Sequence, residues 1–214
     1  MRISHRYKFV YVSKPKCASE SIRKSLNPYS DIYSSPDNSS PYYHHTNLKQ
    51  LQQHFSEQGW QFDDYFKFTS VRNPWEMAVS LYSYAKTDIN GIRFWDNSTA
   101  YEPQKLISFE DWLRRGALTD FFTLENFILD ENQENLCDHI VKVENLSEDL
   151  LFVSNKLGID LKVSRTNRSM HSHYSEYYDS DDLIQIVKDI FAYEISLGNY
   201  CFSRLSTADR VLHN

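Results

Sequence analysis

The stretch Lys8-Phe9-Val10-Tyr11-Val12-Ser13-Lys14-Pro15-Lys16-Cys17-Ala18-Ser19-Glu20-Ser21-Ile22-Arg23 constrains this chain more than any other. Its first part is aromatic and β-branched, the composition of a buried strand. Lys14-Pro15-Lys16 then breaks the run, and the residues after it, through Lys24 and Leu26, are compatible with a helix. Strand, tight loop and helix start in that order present backbone N–H groups to an anion. Lys16 adds a point charge to such a loop, and Ser19 and Ser21 add hydroxyls. The glycine-rich phosphate loop G-x-x-x-x-G-K-[ST] occurs nowhere in the sequence.

The same grammar returns downstream. Tyr65 to Val71 predicts a strand that ends in Arg72-Asn73-Pro74-Trp75, and Pro74 suits the first turn of a helix carrying Val79, Tyr82 and Tyr84 to about Lys86. Two such loops on neighbouring strands face one crevice, the usual ligand position of an open α/β sheet. Asp138 to Val143 predicts a third strand, followed by a helix from about Leu146 to Lys156 that stops near Gly158. Asn27 to Pro41 reads as a loop with weak turns. The Leu48, Leu51 and Phe55 spacing predicts a helix from about Thr46 to Gln58, with His44 and His45 at its entrance. Ser108 is placed to cap a short helix to Arg115, and the last helix is expected over Asp181 to about Leu197. Thr87 to Ile107 looks irregular, Leu118 to Asn135 is ambiguous, and Ser164 to His173 is polar.

Length matters next: 214 residues suffice for one domain with a sizeable core, here expected over 1–203 with a mobile tail at 204–214. A net charge of −6 argues against a general nucleic-acid binder, so any basic pocket must stand against an acidic background. Three scattered cysteines, Cys17, Cys137 and Cys201, give neither a disulfide framework nor a C-x-x-C metal pattern. No run approaches the apolar length of a membrane span and no leader-like segment stands at Met1, so the expectation is a cytoplasmic chain.

Pro15-Lys16-Cys17-Ala18-Ser19-Glu20-Ser21 resembles the P-K-[TC]-[AG]-[GS]-x-S loop of sulfotransferases that use 3′-phosphoadenosine 5′-phosphosulfate (PAPS). Val71-Arg72-Asn73-Pro74, with Ser80 in the helix that follows, resembles the second signature of the same family. Lys142-Val143-Glu144-Asn145-Leu146, Asn167-Arg168-Ser169 and Ala192-Tyr193-Glu194-Ile195 are weaker echoes that extend the likeness along the chain, within its Golgi-type and bacterial carbohydrate branch. The resemblance implies a three-layer, P-loop-like α/β fold with a central, mainly parallel sheet flanked by helices. It implies that Pro15 to Ser21 grip the 5′-phosphosulfate, that Arg72 and Ser80 hold the 3′-phosphate, and that Arg168 and Ser169 help to cover the donor.

Sulfuryl transfer to a hydroxyl needs a base, charge stabilisation at the reacting group and help for the leaving phosphate. Lys16 answers the last two. A sulfuryl group carries less charge than a phosphoryl group, so no metal is expected. For the base, the family pattern H-x-[TS] aligned on Thr46 selects His44, and His45 is then expected to cap the helix. The acceptor is expected to be a small molecule bearing a hydroxyl, a glycan above all, met by the variable segments Pro28 to Tyr43 and Thr87 to Pro103. Two departures bear on this reading. Glu20 puts a carboxylate beside the phosphosulfate position, and Ser19 replaces a common glycine. A P-loop kinase-like nucleotide enzyme and a non-catalytic nucleotide- or glycan-binding relative stand as alternatives.

Overall fold

The computed structural model describes residues 1–86, 108–162 and 171–204. They gather into two compact units, Met1–Arg72 with Leu124–Asn167, and Asn73–Thr123 with Arg168–Asn214. The expected irregular segment 87–107, the polar stretch 164–170 and the tail beyond Arg204 lie outside the described residues.

The first unit is built on a five-stranded sheet of order β3-β1-β2-β4-β5, from β1 (Arg2–Ser4), β2 (Phe9–Tyr11), β3 (Ile32–Tyr33), β4 (Phe66–Val71) and β5 (His139–Lys142). β2 pairs with β4 and β4 with β5 in parallel, whereas β1 pairs antiparallel with both β2 and β3. β1 therefore runs against the other four. The sheet is parallel where the two signature loops emerge and mixed beyond them. β1 and β3 fall where the sequence reads as a chain start and a loop, because strands of three and two residues are too short to show a period. The hairpin between β1 and β2 turns through Lys8 at φ 51, and the Ser4 hydroxyl accepts from the Tyr7 N–H at 3.2 Å.

Every residue of β2 is buried, and so are five successive residues of β4, so both faces of the central strands are covered. On one face Phe9, Tyr11, Phe68 and Val141 join Ile22 and Leu26 of α1 (Ser19–Leu26) and Leu146, Leu150 and Val153 of α6 (Leu146–Leu157) in one core. α2 (Leu48–Glu57) buries Leu48, Leu51 and Phe55, and packs on α5 (Leu124–Ile128). Its N-cap is Asn47, whose side chain accepts from the Gln50 N–H while Gln50 reaches back to the Asn47 N–H. His45 is thus not the cap.

The second unit contains α3 (Pro74–Lys86), α4 (Phe109–Arg114), α7 (Asp181–Ile190) and α8 (Ala192–Gly198). Asn73 caps α3 by accepting from the N–H groups of Trp75 and Glu76 at 3.1 and 3.3 Å, with Pro74 at the first position as expected. Ser108 caps α4 as the sequence predicts. Rings dominate this core: Phe109 meets Tyr82, Tyr177 and Tyr178 edge-on, and the Tyr178 hydroxyl donates to the Trp75 carbonyl at 3.0 Å. The last helix is not continuous. It breaks at Phe191, fully buried at φ −110 and ψ 30, into α7 and α8, and neither Gly nor Pro marks the spot in the sequence. Among the described residues no helix is long and apolar enough to cross a membrane.

α6 stops where the sequence predicts, at Gly158 with φ 65 and ψ 35. A Cβ added there meets nothing within 4 Å, so only the left-handed backbone opposes a side chain. Gly158→Ala is expected to cost about 1 kcal/mol, which lowers Tm by roughly 2–4 °C in a chain of this size. Calorimetry of the two proteins measures it.

Candidate active site

The loop from Ser13 to Ala18 joins the end of β2 to α1, and it is held from the side of β4 by hydroxyls. Val12 extends the parallel ladder, its N–H donating to the Phe68 carbonyl at 3.1 Å. Thr69 Oγ1 donates to the Val12 carbonyl at 2.9 Å, and Ser70 Oγ donates to the Cys17 carbonyl at 2.6 Å while sharing a bond of 3.0 Å with the Tyr11 hydroxyl. Ser19 Oγ donates to the Lys14 carbonyl at 2.5 Å. Arg72 Nη1 reaches the Lys16 carbonyl at 3.4 Å. In a trans peptide the C=O and the next N–H point opposite ways. Holding the Lys16 and Cys17 carbonyls therefore turns the N–H groups of Cys17 and Ala18 away from the side chains that hold them.

Backbone strain sits at two other positions than the one the sequence suggests. Ser19, in place of a glycine, is an ordinary first residue of α1, whereas Lys16 at φ 61 and Ala18 at φ 56 take the left-handed conformation. Two such residues flanking Cys17 alternate the sign of φ, the pattern that gathers successive N–H groups into an anion nest. Ala18 is the N-cap of α1 and has no side-chain acceptor to offer the first turn. The hydrogen bonds from Thr69, Ser70, Ser19 and Arg72 are what hold this strained loop.

Charge in the loop is arranged against itself. Burial and then the adjacent Arg72 guanidinium push the Lys16 ammonium down to about 8, with Cys17 opposing slightly. Lys14 is fully buried, its Nζ 3.9 Å from Cys17 Sγ. Glu20 turns outward and pairs with Lys24 at 2.7 Å, so its carboxylate stands on the exposed face of α1.

The two histidines are held differently. His45 Nδ1 lies 2.8 Å from the Ser13 carbonyl, which can only accept, so Nδ1 carries the proton and Nε2 the lone pair. Burial lowers its pKa to about 4 despite that carbonyl bond. His44 Nδ1 lies 2.9 Å from Ser34 Oγ, a hydroxyl that can give or take, and its backbone N–H donates to the Ser35 carbonyl at 3.0 Å. Burial lowers its pKa too, followed by Arg23, the Met1 amino group and Arg2.

Of the residues the sequence points to, Lys16, Cys17, Arg72 and His45 converge on one loop, with Pro15, Ser19 and Ser21 buried around it. Ser80 is buried on α3 in the second unit, and its place at the 3′-phosphate rests on the resemblance alone. Arg168 and Ser169 lie outside the described residues. Sequence reasoning missed Ser70, Thr69 and Tyr11 as the scaffold of the loop. Hydroxyls at the carboxyl end of a strand otherwise made of Phe, Lys and Val were the signal.

No curated protein matches this chain. Among solved structures it is similar to mouse sulfotransferase SULT7A1 complexed with PAP, at a TM-score of 0.52 and 15% identity, covering 98% of this chain and 90% of that one. That likeness is one of fold. The profile of the Sulfotransferase family matches residues 1–201, and the chain belongs to that family.

Proposed function

We propose that the chain moves a sulfuryl group from PAPS to an acceptor hydroxyl, on a carbohydrate, by in-line displacement. The observation that carries this reading is the strained loop, in which left-handed Lys16 and Ala18 gather successive N–H groups toward an anion while Arg72 reaches the Lys16 carbonyl at 3.4 Å. The solved sulfotransferase it resembles is complexed with PAP, which fits a donor of this kind. PAPS supplies an activated sulfate. The chain supplies the rest: loop N–H groups and the α1 N-terminus receive the 5′-phosphate, and Lys16 takes up the charge that grows on the leaving oxygen. Arg72 answers the 3′-phosphate as a charged fork. A histidine accepts the acceptor proton as the new O–S bond forms and the old one breaks.

Register against the family pattern selects His44 for that step, but the geometry favours His45. Its Nδ1–H is committed to a carbonyl of the segment that enters the loop, so the lone pair on Nε2 is ready without a change of tautomer. His45→Ala is expected to lower kcat by about 10²–10⁴-fold with little change in nucleotide affinity, and His44→Ala to act mainly on KM. The acid limb of kcat/KM should lie below the ordinary imidazole value, because the free enzyme protonates His45 only near 4. A dead His44→Ala beside an active His45→Ala returns the role to His44.

Two measurements test the donor. Calorimetry should find adenosine 3′,5′-bisphosphate bound far more tightly than adenosine 5′-monophosphate, and Arg72→Ala should lose about 1.5–3 kcal/mol of that preference. Equal affinities in the unmutated protein overturn the assignment, and turnover abolished by EDTA and restored by Mg²⁺ favours a kinase-like enzyme.

Lys16 adds a pH signature whose sign is fixed. Its pKa is lowered in the empty protein and restored by a bound anion, so binding takes up a proton as pH rises past about 8. Affinity for the bisphosphate should fall through that window, and Lys16→Arg should flatten it. By the same linkage the charged Lys16 costs the empty protein stability below pH 8, relieved as the ammonium deprotonates. Lys16→Met should therefore raise Tm at neutral pH while weakening the nucleotide.

A further inference from the structure

The segment from Ser34 to Thr46 carries both histidines and holds no helix, so turns and side chains must shape it. Its own backbone closes it. The Ser35 N–H donates to the Tyr42 carbonyl at 2.7 Å, the His44 N–H donates to the Ser35 carbonyl at 3.0 Å, and Thr46 Oγ1 donates to the Pro41 carbonyl at 3.1 Å. Ser35 thus binds Tyr42 and His44 at once, and a shift of one is passed to the other. Tyr43 lies between them in the chain, its ring centroid 6.1 Å from that of His44 and 5.8 Å from that of His45. His45 fastens the segment to the Ser13 carbonyl, at the entry to the loop after β2.

Tyr42 fastens the same segment to α2. Its hydroxyl lies 2.8 Å from His54 Nε2, with the two rings edge-on at 5.1 Å. Three residues further along α2, Glu57 Oε2 stands 3.4 Å from His54 Nδ1. A carboxylate has only lone pairs to offer, so the imidazole keeps its proton on Nδ1 and turns the Nε2 lone pair to Tyr42, whose hydroxyl donates. The His54 side chain is mostly buried and meets Trp60 edge-on at 6.2 Å, and Trp60 packs on the fully buried Phe55 at 5.3 Å. Glu57, His54 and Tyr42 therefore form a chain of defined direction. It starts on a helix anchored in the core and ends in the segment that carries the histidine pair.

We propose that His54 is a positioning residue for sulfotransfer: with its tautomer set by Glu57 it anchors Tyr42, and Tyr42, through Ser35, fixes where His44 and His45 stand. The effect on turnover rests on the sulfotransfer reading above, whereas the mechanical link does not. A base must keep its lone pair within a hydrogen bond of the reacting hydroxyl, and a misplacement of about 1 Å costs on the order of 10²-fold in rate. His45 offers the Nε2 lone pair only while its Nδ1–H stays on the Ser13 carbonyl. Freeing Tyr42 from α2 loosens the turn that Ser35 closes, and the His45 ring can then leave that carbonyl and exchange tautomers. His54 touches neither substrate in this scheme and acts through Tyr42 alone.

The test reads the imidazole nitrogen resonances of the full chain by NMR, above the pH range where imidazoles are charged. In the unmutated protein His45 and His54 are both expected to carry the proton on Nδ1. An Nε2–H form of His54 overturns the chain, and this arm needs no variant to fold. Tyr42→Phe removes one hydroxyl and keeps the ring. It is expected to mix the His45 tautomers and to lower kcat about 10-fold or more, with the affinity for adenosine 3′,5′-bisphosphate unchanged. His54→Leu should do the same, and His54→Gln, whose amide still meets the phenol, should keep both the His45 signal and kcat. A Tyr42→Phe protein with an unaltered His45 signal and unaltered kcat overturns the proposal. A fall in kcat with the His45 signal unaltered also overturns it, by assigning Tyr42 to the acceptor itself, as do mixed tautomers at full kcat. Loss of bisphosphate affinity in Tyr42→Phe overturns it too, by moving the defect to the donor. If the unmutated protein sulfates no acceptor, the sulfotransfer reading fails instead, and the His45 resonances of the variants still decide whether His54 positions the pair.

Discussion

The parallel pairing of β2 with β4 is the constraint on which the site depends. It aligns Tyr11 with Phe68 and carries Val12 one step further along the same ladder. Side chains beyond the register, Thr69, Ser70 and Arg72, then reach three carbonyls of the loop that follows β2. Most loops satisfy their own carbonyls with water. Here the neighbouring strand satisfies them, and the backbone of Lys16 and Ala18 is kept in a conformation that a non-glycine residue rarely adopts. An anion site made without glycine needs such external bracing, because the conformational freedom that glycine supplies at no steric cost is absent.

That bracing also holds two cations together. Burial first, and the Arg72 guanidinium second, depress the Lys16 ammonium, so the empty fold bears a cost for holding it there. Hydrophobic burial elsewhere in the first unit offsets it: the core on the α1 and α6 face is continuous from Phe9 to Ile159. The stability of the sheet and the poise of the site are therefore coupled. Local consistency fails at the loop, as it does where a site is shaped for a ligand rather than for the empty fold.

Much of this was legible from residue order. The strands at Phe9, Phe66 and His139, the helix starts at Pro74 and Ser108 and the stop at Gly158 each follow from a local signal that tertiary context did not override. β1, β3 and the break at Phe191 were not legible. The first two are too short for a period, and the last carries no breaker residue. Lys16 and Arg72 were readable because a charged residue at the end of an apolar strand is conspicuous. The difference between His44 and His45 was not readable, since it lies in which oxygen each ring finds, Ser34 Oγ or the Ser13 carbonyl, and both partners are distant in sequence.

The histidine pair shows how the charges act together. Alone, an imidazole held near 4 is a poor base, for it accepts a proton reluctantly at neutral pH. Part of that depression is the field of Arg23 and of the other cations around it, beyond the effect of burial. A bound anion cancels the field and raises the imidazole toward the range where base catalysis is efficient. The positive field on the histidine pair comes from Arg23, the Met1 amino group and Arg2. This positive field stands within an acidic chain of net charge −6, in which Glu20 pairs with Lys24 on the exposed face of α1.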